Sequence, residues 1–212
     1  MVLKTIEINH PIIEPLLAKS DQELLALFHA HPDLGRYLVV IFCRYGQIIY
    51  TLTRESGRSA VEAEYLFGKT WGHIYRELKL LNLEATKPLQ NFLIDITAVA
   101  INTFDANLDT HEHKIKYDLS LTPPILLCYL NQALDQIPKD LRLVLTLSQT
   151  FNWSSSRIAA YLKSEGELQN TQVRRIKDID ELISQANVTL TQLLPQDIQE
   201  IYLAPNSKLS SP

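Results

Sequence analysis

Between Leu34 and Leu52 the chain carries Leu34, Leu38, Val39, Ile41, Phe42, Tyr45, Ile48, Ile49 and Leu52. A helix through this run is apolar around much of its circumference. Such a helix is not satisfied by covering one face and belongs in the interior. It requires other helices around it, so the run is expected to form the central helix of a bundle. Glycine is scarce, at 6 of 212 residues. With abundant Leu and Ile, that argues against a sandwich or barrel of many short strands.

The neighbouring segments supply the partners. Ser20-Asp21-Gln22-Glu23 has the spacing of a capping box and opens a helix with Leu24, Leu25, Leu27 and Phe28 on its apolar face. Pro32 suits the first turn of the central helix. Gly57 marks a break, and Ser59 with Glu62 repeats the box. The third stripe is Val61, Tyr65, Leu66, Trp71, Ile74, Tyr75 and Leu78. Gly68 and Gly72 within it are expected to permit a close helix crossing. Pro88 opens a fourth helix, with Leu89, Phe92, Leu93, Ile96, Val99, Ala100 and Phe104 at helical spacing. Residues 20–105 thus read as one four-helix domain, preceded at 1–19 by a loosely attached arm with Pro11 and Pro15.

Residues 106–121 are polar, have no sustained stripe, and read as a linker. Thr122-Pro123-Pro124 starts a helix with Leu126, Leu127, Leu130, Ala133 and Leu134. Pro138 starts another, with Leu141, Val144, Leu145, Leu147 and Phe151. Residues 153–164 and about 169–186 then form two short helices. The second turns Val173, Ile176, Ile179, Leu182 and Ile183 inward and its cations outward. Two helices in that order are expected to form a helix-turn-helix, whose second helix enters the major groove of DNA. The expected fold is all-α: a four-helix N-terminal domain plus a C-terminal helix-turn-helix domain over 122–195, with a tail at 196–212.

The candidate DNA contacts are Ser155, Arg157, Gln169, Asn170, Thr171, Gln172, Arg174, Arg175 and Lys177. Arg can bond a guanine edge with two hydrogen bonds, Lys can pair with phosphate, and the amides and hydroxyls can reach base edges. Ser155 and Arg157 stand where a helix N-terminus can hold a phosphate. The competing reading is a solvated helix face, because Asp178, Asp180 and Glu181 follow at once. Residues 123–195 carry seven basic and seven acidic side chains, and the whole chain has a net charge of -4. Bulk charge therefore does not attract DNA. Arg36, Arg44, Arg54, Arg58 and Arg76 accompany Tyr37, Tyr45, Tyr50, Trp71 and Tyr75. These aromatics could stack on unpaired bases, but their helical spacing favours a core role.

Other classes find little support. Cys43 and Cys128 each lie in an apolar run and read as buried reduced thiols. His111-Glu112-His113 lacks a third ligand and reads as exposed loop, so no metal is expected. No Gly-rich phosphate loop, His-Glu-x-x-His or nucleophile elbow occurs. The expectation is a protein that is not an enzyme and needs no cofactor. No signal peptide and no apolar run of about 18 residues is present, so the cytoplasm is the expected location and no membrane partner is expected.

Four further pieces carry a family resemblance. Leu27-Phe28 precedes the aromatic-rich second helix. Ala63-Glu64-Tyr65-Leu66-Phe67-Gly68-Lys69-Thr70-Trp71 lies on the third, and Phe92-Leu93-Ile94-Asp95-Ile96 on the fourth. Leu134-Asp135-Gln136-Ile137-Pro138-Lys139-Asp140-Leu141-Arg142-Leu143-Val144-Leu145 opens the second domain. In order and spacing, from about residue 20 to about 194, these resemble bacterial RNA polymerase sigma factors, in particular the two-domain extracytoplasmic-function group. The resemblance implies a sigma region-2-like domain that grips core RNA polymerase and melts promoter DNA, and a region-4-like domain that reads the upstream element. It implies polymerase contacts at Glu62, Glu64, Tyr65, Lys69 and Arg76, and leaves open an anti-sigma or other regulatory partner. The chain departs from the family at Tyr65, Gly68 and Lys69, where the pattern has an acid, an amide and an acid. Asp95, Ala98 and Val99 stand where the family usually has Arg, Arg and Asn. Between Ala159 and Thr171 there are about three residues more than the family's turn usually has. These departures motivate a second reading: a degenerate sigma-like regulator, a protein-interaction module without promoter melting.

Overall fold

The computed structural model describes residues 6–81, 87–103, 123–164 and 176–204. All regular structure among them is helical: α1 (Asp21–Ala30), α2 (Arg36–Arg54), α3 (Ala60–Leu80), α4 (Leu89–Thr103), α5 (Pro124–Gln136), α6 (Lys139–Leu145), α7 (Ser155–Ser164), α8 (Ile176–Leu193) and α9 (Gln196–Tyr202). Two 3-10 turns, Ile6–Asn9 and Glu14–Leu16, precede α1, and a π turn, Thr146–Thr150, follows α6. The chain divides into two compact units. The first holds α1 to α4, the start of α5 through Tyr129, and α9. The second holds α5 from Leu130, α6, α7 and α8.

In the first unit α2 is the hub. It packs against α1, α3, α4 and the first 3-10 turn. Leu38, Val39, Val40 and Ile41 are fully buried, as the apolar circumference requires. Phe42 meets Trp71 edge to face with centroids 5.0 Å apart, and Tyr50 meets Phe67 at 5.3 Å. Burying each such side chain contributes about 1.5–3 kcal/mol. Both capping boxes close. Ser20 Oγ accepts from the Glu23 amide at 3.3 Å, while the Ser20 amide donates to Glu23 Oε2 at 2.8 Å. Ser59 and Glu62 repeat this at 3.3 and 2.9 Å. Gly57, at φ 78°, takes the left-handed conformation just after α2 ends.

Four expectations change. Pro32 is not in the first turn of α2, which starts at Arg36 with Gly35 as its cap residue. Gly35 has no side chain to cap with, and the carboxylate of Asp197 on α9 does that work. It accepts from the Gly35 amide at 3.0 Å and the Arg36 amide at 2.9 Å. The segment before α1 is not a loose arm where it is described. Ile13 is fully buried, and Arg44 donates to the carbonyls of Leu17 at 3.2 Å and Lys19 at 2.7 Å. Residues 196–202, expected as tail, form α9, because Pro195 restarts the helix and Ile198 has an apolar slot to fill. Gly72 serves no close crossing: a side chain added there would meet nothing within 4 Å.

The second unit has two apolar clusters that share Leu182. Val144, Leu147, Ile158, Leu162 and Ile179 form one. Ile137, Leu141, Leu145 and Ala186 form the other. Arg142 closes the turn at Pro138, donating to the carbonyls of Asp135 at 3.0 Å and Ile137 at 3.3 Å. These are carbonyls that the end of α5 leaves without helical partners. Phe151, placed on the apolar face by its spacing, is instead 50% exposed. The π turn widens the helix just before it and rotates it outward.

Two glycine substitutions should move stability in opposite directions. Gly72→Ala fills open space in a helix interior and should stabilise by about 0.5–1 kcal/mol. At Gly35, φ is -87°, so conformation is no obstacle there; space is. A Cβ would lie 2.2 Å from Ile198 Cγ1 and 3.1 Å from Tyr129 Cε2. Gly35→Ala should cost about 1–3 kcal/mol. Urea denaturation of the two variants checks both.

Two carboxyl groups should give pH dependences of opposite sign. The amide and hydroxyl of Ser20, then Lys19, hold Glu23 down to about 2. Its support for α1 is present above the ordinary 4.5 and is lost as pH falls from there towards about 2. Burial pushes Glu7 above 4.5, so its contribution is complete below 4.5 and declines as pH rises through the shifted value. Glu23→Gln should flatten the acid limb of a stability–pH curve. Glu7→Gln should remove the decline above pH 4.5, as followed by thermal unfolding.

Candidate nucleic-acid interface

The described part of the candidate interface is the start of α7. Ser154 caps the helix, its Oγ accepting from the Arg157 amide at 3.4 Å. Asn152, at φ 51°, turns the chain into it. Trp153 and Arg157 stand four residues apart, and the guanidinium carbon lies 4.2 Å from the centre of the indole ring. Tyr161 meets Trp153 edge to face at 5.5 Å, and Phe151 lies 6.2 Å from it. A guanidinium stacked this way uses its face and leaves its N–H edges free for an anion. The stack also limits the rotamers of Arg157 before any partner arrives.

Ser155, the first residue of α7, has a partner on α8. Its hydroxyl donates to the Asp180 carboxylate of α8. An acid of α8 therefore lies beside the first residue of α7, where the helix dipole favours negative charge. The hydroxyl thereby ties α7 to α8. Gln169, Asn170, Thr171, Gln172, Arg174 and Arg175 lie outside the described residues, as does the Lys177 side chain. Of the acids that follow, Asp178 is half-buried, and Asp180 and Glu181 are exposed.

In the first unit, Glu62, Tyr65, Lys69 and Arg76 follow one another at spacings of 3, 4 and 7 along α3, so they share a stripe. Lys69 and Arg76 are exposed. The Lys69 ammonium lies 5.2 Å from the centre of the Tyr65 ring. Val61, 76% exposed, and Leu80, 79% exposed, stand near the two ends of this helix. Glu64 is displaced from Tyr65 by the roughly 100° per residue of a helix and leaves the stripe. Glu62 also closes the Ser59 capping box. On α4, Asp95, Ala98 and Val99 are exposed, and Asp95 pairs with Lys87.

The arginines and aromatics of this unit are largely structural. Tyr37, Tyr45, Tyr50, Trp71 and Tyr75 are each no more than 8% exposed, so these five are core and not stacking platforms. Arg36 pairs with Asp197, Arg44 with Asp21, and Arg58 donates to the Ile101 carbonyl at 2.9 Å. Helical periodicity exposed the aromatic assignment. The arginine partners lie 23 to 161 residues away in sequence, and no local spacing signals them.

Both cysteines are free thiols, Cys128 buried and Cys43 partly so. Burial, then the nearby Glu7 carboxyl, pushes Cys43 up to about 12, and burial pushes Cys128 to about 12. Neither is a thiolate near neutrality, so neither is an activated nucleophile. Among the described residues no group of three or more His, Cys, Asp or Glu is arranged to hold a metal. His111, Glu112 and His113 lie outside the described residues. No described helix is long and apolar enough to cross a membrane. No protein-family model, curated protein or solved structure matches the chain.

Both thiols should resist alkylation. In native buffer at pH 7.5, iodoacetamide labelling followed by mass spectrometry should be at least tenfold slower at Cys128 than in the urea-unfolded chain, with Cys43 intermediate. Rapid native labelling of Cys128 would contradict its burial.

Proposed function

We propose that this chain is a sigma-factor-like transcription initiation protein that binds core RNA polymerase and promoter DNA. The observation that carries the proposal is the second unit. There α7 and α8 pack on one apolar core through Ile158, Leu162 and Ile179, just after the turn locked by Arg142. That is the setting in which a second helix is presented to a duplex. The α3 stripe of Tyr65, Lys69 and Arg76 would meet polymerase, and the start of α8 would enter the major groove. Arg157, held on Trp153, would bond a phosphate. No covalent bond is made or broken in this role, and no cofactor is needed.

A second reading, a degenerate sigma-like regulator acting through protein contacts alone, draws on two observations. The exposed face of α4 is acidic and aliphatic at Asp95, Ala98 and Val99, and the Asp180 carboxylate accepts from Ser155 at the start of α7. One set of experiments separates the two readings. Pull-down with bacterial core polymerase and promoter run-off transcription should both succeed for an initiation factor. A shift assay between 50 and 200 mM salt should show binding that weakens steeply. Arg157→Ala should reduce the salt slope by about one and weaken all sequences alike, while Asp180→Asn should tighten binding. Polymerase binding without run-off or salt-sensitive DNA binding would favour the regulator. Failure of both polymerase assays would end the sigma-like proposal.

A further inference from the structure

α9 is held in the first unit by three side chains. The Asp197 carboxylate is 1% exposed and accepts from the amides of Gly35 and Arg36 and from Arg36 Nε, at 2.9–3.0 Å. Ile198 is fully buried against the bare Cα of Gly35. The Tyr202 hydroxyl is buried and interacts with the carboxyl of Glu7. The α2 N-terminus is thus a built carboxylate receptor. Two backbone amides, a helix dipole and a guanidinium converge on one acid, with an aliphatic slot beside it.

Three features distinguish α9 from an ordinary core helix. It has seven residues, well below the length at which a helix is stable by itself in water, so docking is what orders it. The larger helix–helix packings of the first unit are those among α1, α2, α3 and α4, and α9 is not among them. Its far end rests on a poorly matched contact: neither Glu7 Oε2 nor the Tyr202 hydroxyl meets hydrogen-bond geometry, although both atoms are buried. Gln196, Glu200, Leu203 and Ala204 face solvent.

We propose that α9 is a detachable self-ligand, and that its dock on the first unit is a binding site for a short helix. The ligand class is a helix opening on an Asp–Ile pair, with a tyrosine five residues after the Asp. A partner segment of that chemistry competes for the dock and releases the chain after Leu194. This does not depend on the transcription reading.

The test uses the full chain with a protease site, flanked by Gly-Ser, inserted between Leu194 and Pro195. After cleavage of the folded protein, native mass spectrometry and gel filtration follow fragment 195–212. The expected result is dissociation of the fragment on dilution, with the remainder keeping its helical circular dichroism and cooperative unfolding. A fluorescent peptide of residues 194–204 then rebinds, and binding falls at least tenfold with Asp197→Asn in the peptide or Gly35→Ala in the remainder. The proposal is overturned if the fragment stays bound at nanomolar concentration, if the remainder unfolds when it leaves, or if rebinding ignores Asp197→Asn.

Discussion

One buried carboxylate caps the helix at the centre of the first unit. A 19-residue helix as apolar as α2 must sit centrally, and its first amides then point into the interior. Gly35 leaves them without a local cap. Asp197 supplies the acceptor, and burying that charge is tolerable because it has two amides of α2, the Arg36 guanidinium and its own following amide at 3.0 Å. The absence of a side chain at Gly35 is the steric condition for the contact, because any Cβ would stand where Ile198 packs. Charge, space and helix polarity therefore meet at one point. The start of α2, the position of α9 and the covering of Tyr129 follow from it.

Much of the helical inventory was legible in the residues. The two capping boxes set the starts of α1 and α3, and prolines stand at the openings of α4, α5 and α6. These signals are local, and local chemistry determines them. The central role of α2 and the core role of the aromatics were legible from periodicity. What escaped was long-range. Nothing near Gly35 reveals an acid 162 residues away, and nothing near Ser155 reveals Asp180. Pro32 misled because proline fits the first turn of a helix, yet the remote cap selected a start four residues later. Gly72 misled in another way. A glycine suggests close approach, but the space beside this one is open.

The same limit applies to the interface. Trp153 lies just before the cap of α7 and Arg157 in its first turn, and the turn at Asn152 brings the indole against the guanidinium. The cations and amides from Gln169 to Lys177 make the strongest sequence argument for DNA. Of these, Gln169 to Arg175 and the Lys177 side chain lie outside the described residues. On the described surface, exposed cations include Lys69, Arg76 and Lys79 on α3 and Arg157 and Lys163 on α7. Many of the remaining arginines are committed to holding the fold together. A net charge of -4 is compatible with nucleic-acid contact only where such local clusters face the phosphate.

The distance between Gly35 and Asp197 also bears on biosynthesis. A ribosome adding about 5–20 residues per second needs roughly ten to thirty seconds to travel from one to the other. The nascent central helix lacks its acceptor throughout that interval, and by its end every residue of α6, α7 and α8 has been made. The unit begun first thus receives its capping acid only after the helices of the second unit have been made.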